Sequence, residues 1–226
     1  MATLYMVATP IGNMQDMTYR AVEVLKEVDV IACEDTRQSA KVLNHYGIKK
    51  HLISCRARNE KQSAPGILKL MEEGNDIAYV SDAGTPVISD PGRLLVRIIR
   101  DGGFPVIPVP GVSAFSTLIS VCGFPGKSYH FEGFLPQKSG KRKKRLTQLL
   151  EREESFMIYE SPYRIIKLLQ ELVELDSERI CVLGREMTKK FEEYPEGTAD
   201  MLINHLEMEN QVKGEFALLV SGEKKG

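Results

Sequence analysis

Four short segments in the first half of the chain combine small, polar and turn-forming residues, and each follows a hydrophobic run. They are residues 9–13, 34–37, 81–92 and 110–114. In an open parallel sheet, ligands bind beyond the carboxyl ends of the strands. If the hydrophobic runs are parallel strands, the four segments gather at one edge of the sheet and form a candidate ligand site.

The segment at 81–92, with the sequence SDAGTPVISDPG, is the most informative of the four. Its small residues let a ligand approach backbone N–H and C=O groups closely, and Asp82 can accept a hydrogen bond from a ligand amine or hydroxyl. The second half has a structural interpretation, because Ser89 or Asp90 can cap a helix that begins at Pro91. We therefore expect a binding loop that leads into a helix.

Two carboxylates and a guanidinium stand together at 34–37, as Glu34, Asp35 and Arg37. A carboxylate there could accept a proton, and Arg37 could hold a phosphate or another anion. Equally, Asp35 or Thr36 could cap a helix while Arg37 lies on a solvated face. Spacing alone leaves both interpretations open.

Residues 138–145, KSGKRKKR, hold six basic side chains in eight positions. Such a run is either a solvated helix start or a contact to a nucleic-acid backbone, where each neutralised phosphate adds salt-dependent affinity. Lys49, Lys50, Arg56 and Arg58 could form a second patch. No aromatic residue is interleaved with either patch, so neither shows a base-stacking platform.

Other polar and aromatic residues of the second half have structural interpretations. Phe131 and Phe134 are expected in the core rather than against a cofactor. Ser161 is expected to cap a helix. The neighbouring Arg185 and Glu186 are typical of a surface ion pair, which contributes little to stability.

Composition and motifs exclude several classes of protein. With 30 basic and 31 acidic residues the formal net charge is −1, so any nucleic-acid contact must rest on local patches. No GxGxxG or GxxxxGK[ST] motif follows a strand, which argues against nicotinamide enzymes and P-loop NTPases. The four cysteines form no CxxC pair and have no histidine at metal-site spacing, so neither a metal site nor a disulfide is expected.

The same features bear on location. Scattered, unpaired cysteines are typical of reduced thiols in a cytoplasm. The chain opens directly into a strand-like run without the pattern of a signal peptide, and no apolar stretch is long enough to span a membrane. We therefore expect a cytoplasmic protein without a membrane segment.

The alternation of strand and helix patterns predicts an α/β protein with two domains, residues 1–113 and 114–226. In the first half, strand-like runs alternate with helical segments, which favours a parallel sheet covered by helices. Those runs are residues 4–8, 30–33, 51–54, 77–80 and 106–109. In the second half the strand-like runs are residues 129–131, 156–159, 180–183 and 216–220. Their spacing favours a separate, mixed sheet.

Eight segments occur in the order and spacing of a known family. They are residues 7–13 (VATPIGN), 34–37 (EDTR), 81–92 (SDAGTPVISDPG), 110–114 (PGVSA), 131–136 (FEGFLP), 159–164 (YESPYR), 185–189 (REMTK) and 213–216 (KGEF). Together they cover nearly the whole chain. The arrangement resembles the small-subunit ribosomal RNA 2′-O-methyltransferases, which modify a cytidine ribose and belong to the tetrapyrrole methylase superfamily.

The resemblance implies two α/β domains, S-adenosylmethionine in the cleft between them, and a homodimer that acts on small-subunit ribosomal RNA. The residues that it places against the cofactor are Pro10, Ser81, Asp82, Ala83, Gly84, Thr85, Ile88, Ser113, Ala114, Leu135, Gly214 and Glu215. The catalytic candidates that follow from it are Glu34, Asp35, Arg37, Arg185, Glu186 and Lys189. The candidates for RNA contact are Arg56, Arg58, Lys141, Arg142, Lys143, Lys144, Arg145 and Arg164. No metal is implied.

The implied reaction is an in-line displacement, in which a ribose 2′-oxygen attacks the sulfonium methyl group. The protein would mainly supply alignment, exclusion of water and help in removing the hydroxyl proton. Glu34, Asp35 and Glu186 are candidate proton acceptors. Two alternatives stay open: a methyltransferase that acts on a tetrapyrrole carbon, and a non-catalytic nucleotide-binding module. The basic segment at 138–145 favours RNA over a tetrapyrrole.

Overall fold

The structure, a computed structural model, describes residues 1–125, 128–208 and 212–223. The chain divides into two compact units, Met1–Ser113 and Ala114–Gly226. Each unit has its own sheet, and both are α/β. The predicted fold class is therefore confirmed. No helix in the described part of the chain is both long enough and apolar enough to cross a membrane.

The first unit holds a five-stranded parallel sheet. Its strands are β1 (Leu4–Val7), β2 (Val30–Cys33), β3 (His51–Ser54), β4 (Ile77–Val80) and β5 (Val106–Val109), in the order β3-β2-β4-β1-β5. Its helices are α1 (Tyr19–Glu27), α2 (Thr36–His45), α3 (Glu60–Glu72) and α4 (Arg93–Asp101), with a short 3₁₀ helix at Met14–Asp16. All four neighbouring strand pairs are parallel, as the alternation of strands and helices predicts.

The three central strands of this sheet are buried because side chains on both faces contact apolar clusters. In β2, Ala32 joins the cluster that contains Ile67 of α3, and Ile31 joins the cluster that contains Leu25 of α1. Successive side chains of a strand point to opposite faces, so a wholly apolar strand of four residues serves both clusters. This two-sided packing fixes the strand ends from which the polar loops emerge.

The helix predicted to begin at Pro91 begins at Arg93 instead, and neither Ser89 nor Asp90 caps it. Its N-cap residue is Gly92, whose φ of 119° lies in the left-handed region, outside the range of a right-handed helix. The missing cap is supplied from α3, because Glu60 Oε1 accepts the backbone N–H groups of Gly92 and Leu95, both at 3.0 Å. A partner 32 residues away in sequence thus replaces the local cap.

The second unit holds a mixed five-stranded sheet, as predicted. Its strands are β6 (Tyr129–Phe134), β7 (Ser155–Glu160), β8 (Ile180–Arg185), β9 (Glu196–Thr198) and β10 (Phe216–Val220), in the order β6-β7-β10-β8-β9. Only the pair β6–β7 is parallel; the other named pairs of this sheet are antiparallel. Its helices are α5 (Ala114–Cys122), α6 (Ser139–Leu150), α7 (Ile165–Leu175) and α8 (Ala199–Met208).

Several boundaries in the second unit differ from those predicted. Strand β8 continues to Arg185, and the short strand β9 lacks a hydrophobic pattern that would have predicted it. Helix α7 begins at Ile165, so Ser161 does not cap it. The backbone oxygen of Ser161 instead accepts the N–H groups of Arg164 and Ile165, at 3.0 and 3.1 Å.

Candidate functional site

The loops after β1, β2, β4 and β5 emerge at one edge of the first unit's sheet, because all of its strands run in the same direction. Strands β2, β4, β1 and β5 are consecutive neighbours, so their loops are neighbours as well. The topology therefore brings the four polar segments together, in the position where open parallel sheets bind ligands.

Hydrogen bonds tie three of these loops to one another. The backbones of Thr9 and Gly84 exchange two bonds, with N···O distances of 2.9 and 3.0 Å. Thr9 Oγ1 donates to the backbone oxygen of Ser81 at 3.3 Å, and Thr85 Oγ1 donates to that of Val112 at 3.1 Å. The loop at 81–92 is thereby fixed to the loops that follow β1 and β5.

Two glycines are required where these loops approach closely. Gly84 has φ 75°, and a Cβ atom there would lie 3.2 Å from Ile11 Cγ2. A Cβ atom at Gly111 would lie 2.9 Å from the Cβ of Ala8. A side chain at either position would push the loops apart, so these glycines allow the loops to pack closely against one another.

The turn from 86 to 92 is strained. Val87 and Ser89 have φ values of 77° and 65°, and a positive φ is a genuine outlier for a β-branched residue. A Cβ atom at Gly92 would lie 3.0 Å from Tyr79 Cε1 and 3.2 Å from Val87 Cγ2. Strained backbone of this kind costs on the order of 1–3 kcal/mol per residue and clusters at binding sites. The segment is therefore more than a simple connection.

The other residues expected to hold the cofactor in this region differ in exposure. Those with buried side chains or backbone are Pro10, Ser81 and Gly84. Those that are half-buried are Thr85, Ile88, Ser113 and Ala114. Those that are exposed are Asp82 and Ala83. A ligand at this edge can therefore reach Asp82 and Ala83 directly.

Asp35 caps α2 and binds Arg37. Its Oδ1 accepts the backbone N–H of Arg37 at 2.9 Å, and its Oδ2 lies 2.9 Å from Arg37 Nη2. These bonds from Arg37 hold the pKa of Asp35 far below its usual range. The capping interpretation is therefore right for Asp35, whose carboxylate is a weak base. The side chain of Arg37 remains 84% exposed.

Glu34, which directly follows β2, is in the opposite situation. Burial raises its pKa, and the charge of Asp82 raises it further. Arg56 Nε donates to the backbone oxygen of Glu34 at 2.9 Å rather than to its carboxylate. Asp82 Oδ1 accepts the N–H of Asp35 at 3.0 Å, which anchors that second carboxylate beside Glu34. The Glu34 carboxyl thus has an acidic neighbour and a tendency to retain its proton.

Asp90 completes a group of three carboxyls with Glu34 and Asp82. Burial raises the pKa of Asp90 to about 7, and the charges of Glu34 and Asp82 add to the effect. In the described residues, no group of three or more His, Cys, Asp or Glu side chains is arranged to hold a metal ion. Asp90 was not among the predicted site residues, because its position before Pro91 favoured a helix cap. The signal was a second carboxyl in the same polar loop as Asp82.

In the second unit, the structure brings Glu186, Lys189, Gly214 and Glu215 together. Glu186 Oε1 accepts from Lys189 Nζ at 2.8 Å and from the backbone N–H of Glu215 at 3.0 Å. Burial alone would raise the pKa of Glu186. The bonds from Lys189 and Glu215 outweigh the effect of burial, so the net result is a lowered pKa. Gly214 has φ 100°, and a Cβ atom there would lie 2.5 Å from Glu186 Oε1. The Glu186 carboxylate is therefore held on two sides.

In the described part of the chain Arg185 is buried and pairs with Glu193, so the prediction of a surface pair with Glu186 is wrong. Because β8 extends to Arg185, its side chain is drawn into the unit and is only 11% exposed. Its Nη1 lies 2.7 Å from Glu193 Oε1, and its Nε donates to the backbone oxygen of Lys213 at 3.0 Å. The other oxygen of Glu193 lies 3.3 Å from His205 Nε2.

The basic segment at 138–145 divides into two groups on α6. Arg142 is buried and pairs with Glu171 of α7 through two bonds of 2.7 Å, so the prediction that it contacts RNA is wrong. Arg145 pairs with Glu132 at 2.7 Å, and Lys143 pairs with Glu174. The basic residues of the segment that are exposed and have no ion pair in the described part of the chain are Lys138, Lys141 and Lys144.

The remaining predicted residues are Leu135, Arg164, Arg56 and Arg58. Leu135 is buried in the core of the second unit, so its backbone is the part that remains for a ligand. Arg164 Nε donates to Glu160 Oε1 at 2.7 Å. Arg56 and Arg58 are both exposed. Arg56 already donates to the backbone oxygen of Glu34, whereas Arg58 has no ion pair in the described ranges.

A parallel sheet with a polar, strained loop edge, followed by a mixed α/β unit, is the architecture of one family of methyltransferases. The sequence profile of the tetrapyrrole (corrin/porphyrin) methylases matches residues 3–203. The chain belongs to this family. Solved structures of similar fold include a cobalt precorrin-4 methyltransferase (14% identity, TM-score 0.69, covering 97% of this chain and 94% of that one) and the uroporphyrin-III C-methyltransferase of Thermus thermophilus (18%, TM-score 0.68, covering 98% and 95%).

Within the family, this chain is similar to proteins named ribosomal RNA small subunit methyltransferase I. The protein of that name from Borrelia garinii subsp. bavariensis is 48% identical over 219 residues, covering 96% of this chain and 98% of the relative. The one from Thermotoga maritima is 43% identical over 225 residues, covering 99% and 100%. The one from Haemophilus influenzae is 45% identical over 224 residues and covers 98% of this chain and 79% of the relative.

Proposed function

We propose that this chain transfers a methyl group from S-adenosylmethionine to the ribose 2′-oxygen of a cytidine in small-subunit ribosomal RNA. The observation that carries the proposal is the carboxyl group of Glu34 beside Asp82, at the loop edge of the parallel sheet. The names of relatives that match this chain over their full length support the RNA substrate.

The residues at this edge fit S-adenosylmethionine in charge and shape. The cofactor carries a sulfonium and an amino group, and the exposed carboxylate of Asp82 provides a complementary charge. Exposed Asp82 can accept from an amine or hydroxyl, and the neighbouring Ala83 is exposed to a ligand as well. When bound, the cofactor supplies an electrophilic methyl group.

Among the three candidate proton acceptors, the geometry favours Glu34. Burial and Asp82 raise its pKa, and a base is most effective when its pKa lies close to the working pH. Arg37 lowers the pKa of Asp35, and bonds from Lys189 and Glu215 lower the pKa of Glu186, so both carboxylates are weaker bases. We assign proton removal from the ribose hydroxyl to Glu34, and the ordering of the loop that carries it to Asp35.

Contacts to the RNA backbone require exposed cations that are not already neutralised. Of the residues proposed to meet RNA, Arg58, Lys141 and Lys144 meet this requirement within the described ranges. Arg37 is largely exposed although it binds Asp35, and Arg164 and Arg145 are held by Glu160 and Glu132. We therefore assign the phosphate contacts to Arg58, Lys141 and Lys144 before the paired residues.

The test is methyl transfer from radiolabelled S-adenosylmethionine to small ribosomal subunits, and separately to their purified RNA, from cells that lack this protein. The expected product is one 2′-O-methylcytidine, located by mass spectrometry of nuclease fragments. A tetrapyrrole precursor serves as the rival substrate. Methylation of the tetrapyrrole but not of RNA, or cofactor binding without any transfer, would overturn the proposal.

Two further features belong to the proposal. The chain is expected to act as a homodimer, and light scattering on the purified protein measures this directly. It is expected to act in the cytoplasm, where ribosomal subunits are assembled, and cell fractionation tests that expectation. A monomer in solution with full activity would remove the dimer from the proposal and leave the reaction intact.

A further inference from the structure

We propose that the second unit carries a binding surface for unpaired RNA, in which Phe134 stacks on a nucleobase and Lys138, Lys141 and Lys144 contact phosphates. The proposal rests on the proposed function for its partner, ribosomal RNA. It adds a residue and a mode of contact. Phe134 was predicted to lie in the core, which is wrong because its side chain is exposed, and base stacking was not expected.

Phe134 is a large aromatic side chain that is 58% exposed at the end of strand β6. A bulge explains its position. The pairing of β6 with β7 shifts between Phe131 and Gly133, so that Phe131 lies opposite Met157 and Phe134 opposite Tyr159. Alternate residues of β7 share a face, so the bulge brings Phe134 to the same face as Phe131.

The ring of Phe134 is held at the outer end of a row of aromatic side chains. Its centroid lies 5.9 Å from that of Tyr159, which lies 4.9 Å from that of Phe131, which in turn lies 5.3 Å from that of Phe115 on α5. Each contact has an edge-to-face geometry, which is favourable for aromatic pairs. The exposed ring is therefore supported from below, and it loses little freedom when a base stacks on it.

The charge beside this ring is arranged on one side of α6. Lys138 precedes the helix, and Lys141 and Lys144 follow at intervals of three residues, which places them along one side. The other basic residues of the segment, Arg142, Lys143 and Arg145, pair with Glu171, Glu174 and Glu132. The helix thus uses one set of cations for its own packing and leaves another set in solvent.

The two features lie within reach of one short oligonucleotide. Lys138 follows Phe134 by four positions in the sequence, so their Cα atoms are at most about 14 Å apart. A basic track next to an exposed aromatic ring is the combination that binds single strands, because every base has a face that can stack. Paired RNA hides those faces in its helix, so the surface selects an unpaired segment.

The chain contains no tryptophan, so a Phe134→Trp variant carries a single fluorescent reporter at the proposed stacking position. The probe is a single-stranded oligoribonucleotide of roughly 12 nucleotides, compared with an abasic strand of the same length. The expected result is quenching by the first and not by the second. The matched control is Phe191→Trp, because Phe191 is also exposed in this unit, at 68%, and should show no quenching.

Two outcomes would overturn the stacking contact. One is unquenched Phe134→Trp fluorescence while anisotropy of a labelled oligonucleotide reports binding. The other is quenching by S-adenosylmethionine alone, which would assign the ring to the cofactor. In binding measurements, Phe134→Ala is expected to weaken the oligonucleotide about tenfold, and Phe134→Tyr to restore it.

The lysines are tested by the dependence of binding on salt. The triple variant Lys138→Gln, Lys141→Gln, Lys144→Gln should lower the slope of log affinity against log salt by about 2, since each lost phosphate contact removes about 0.7 for a single strand. The control Lys167→Gln, Lys190→Gln, Lys213→Gln removes the same charge from exposed positions of the same unit. Equal slopes for the two triple variants would overturn the lysine contact.

Failure of this surface and failure of the proposed function are separable. If wild-type protein methylates small-subunit RNA but shows neither quenching nor the change in slope, the surface is wrong and the reaction stands. If quenching and the change in slope occur without methyl transfer, the surface stands and the reaction is wrong.

Discussion

Two carboxyls at the loop edge of the first unit and two in the second unit have pKa values that shift in opposite directions. In the first unit, burial and acidic neighbours raise the pKa of Glu34 and of Asp90. In the second unit, Arg145 lowers the pKa of Glu132, and the bonds of Glu171 with Arg142 outweigh burial and lower its pKa as well. The units share an α/β construction and nearly the same length, so the contrast lies in the partners of the carboxylates.

The contrast separates two uses of an acidic residue. A carboxylate that faces a guanidinium is fixed in its charged form and joins two elements of the fold. Carboxyls that are buried beside other carboxyls have raised pKa values, and groups of this kind are common at functional sites. By this criterion the edge of the first unit's sheet is the reactive region, and the acids of the second unit are structural.

The largest effect is expected from Arg142→Met, which leaves Glu171 charged and buried between α6 and α7. Both side chains are 3% exposed, and removal of one partner from such a pair costs about 3–5 kcal/mol. The measurement is the free energy of unfolding in urea, followed by circular dichroism. Replacement of both residues by Met should return most of the loss, because a buried pair is often no better than apolar packing.

The matched control is Lys143→Gln, which breaks the neighbouring pair with Glu174 on the same two helices. That pair is exposed, at 38% and 60% for the two side chains, and should contribute less than about 1 kcal/mol. Equal losses in the two variants would contradict the view that the buried pairs of this unit hold it together.

Glu34→Gln is expected to lower the turnover number for methyl transfer about 100-fold, which corresponds to about 2.7 kcal/mol in the activation free energy. Glutamine keeps the size of the side chain but cannot accept the hydroxyl proton. Calorimetry should find that affinity for S-adenosylmethionine is nearly unchanged.

Asp35→Asn is the control for Glu34→Gln, since asparagine caps a helix as well as aspartate does. Its turnover should stay within a few-fold of the wild type. A loss as large as that of Glu34→Gln would show that proton removal belongs to the pair rather than to Glu34.

Gly214→Ala tests how firmly Glu186 is held. The substitution forces a side chain into a backbone with φ 100° and directs its Cβ atom at Glu186 Oε1, so a loss of about 2 kcal/mol is expected in the free energy of unfolding. Gly140→Ala on α6 is the counterpart, because a Cβ atom there meets nothing within 4 Å. It should be neutral or stabilise by up to about 1 kcal/mol. Equal results would mean that the contact at Glu186 is loose.

Sequence patterns predicted the parts of the fold that depend on local hydrophobicity. The apolar strands of the parallel sheet, such as 77–80, lie where they were expected. The start of α4 was wrong because its cap comes from Glu60, far away in sequence. Nothing near Pro91 carries that information, so only the folded chain could supply it.

The candidate site was predictable in position but not in detail. The strand ends that carry Glu34 and Asp82 followed from alternation alone. Arg142 was misjudged because a basic run was treated as uniformly solvated. Its spacing of four residues from Leu146, which is buried on the same helix, was a signal for the apolar side. The partners that decide a pKa come from different loops, and no local pattern reveals them.

Asp90→Asn tests the comparison through pH. In the folded protein the pKa of Asp90 is about 7, whereas the ordinary pKa of an aspartate is 3.8. Between these values the folded state binds more protons than the unfolded chain, so this group makes stability fall as pH rises. An amide carries no charge at any pH. We therefore expect the variant to match the wild type at pH 4 and to melt at a higher temperature at pH 8.

Thermal unfolding from pH 4 to pH 8 measures this difference. Asp101→Asn is the control, because Asp101 is an exposed partner of Arg97 on α4 and its removal should change the melting temperature little at any pH. If Asp90→Asn instead lowers the melting temperature most strongly at pH 8, the Asp90 carboxylate must be stabilised by a cation. In that case the acids of the first unit are paired like those of the second, and the distinction between a reactive edge and a structural unit is lost.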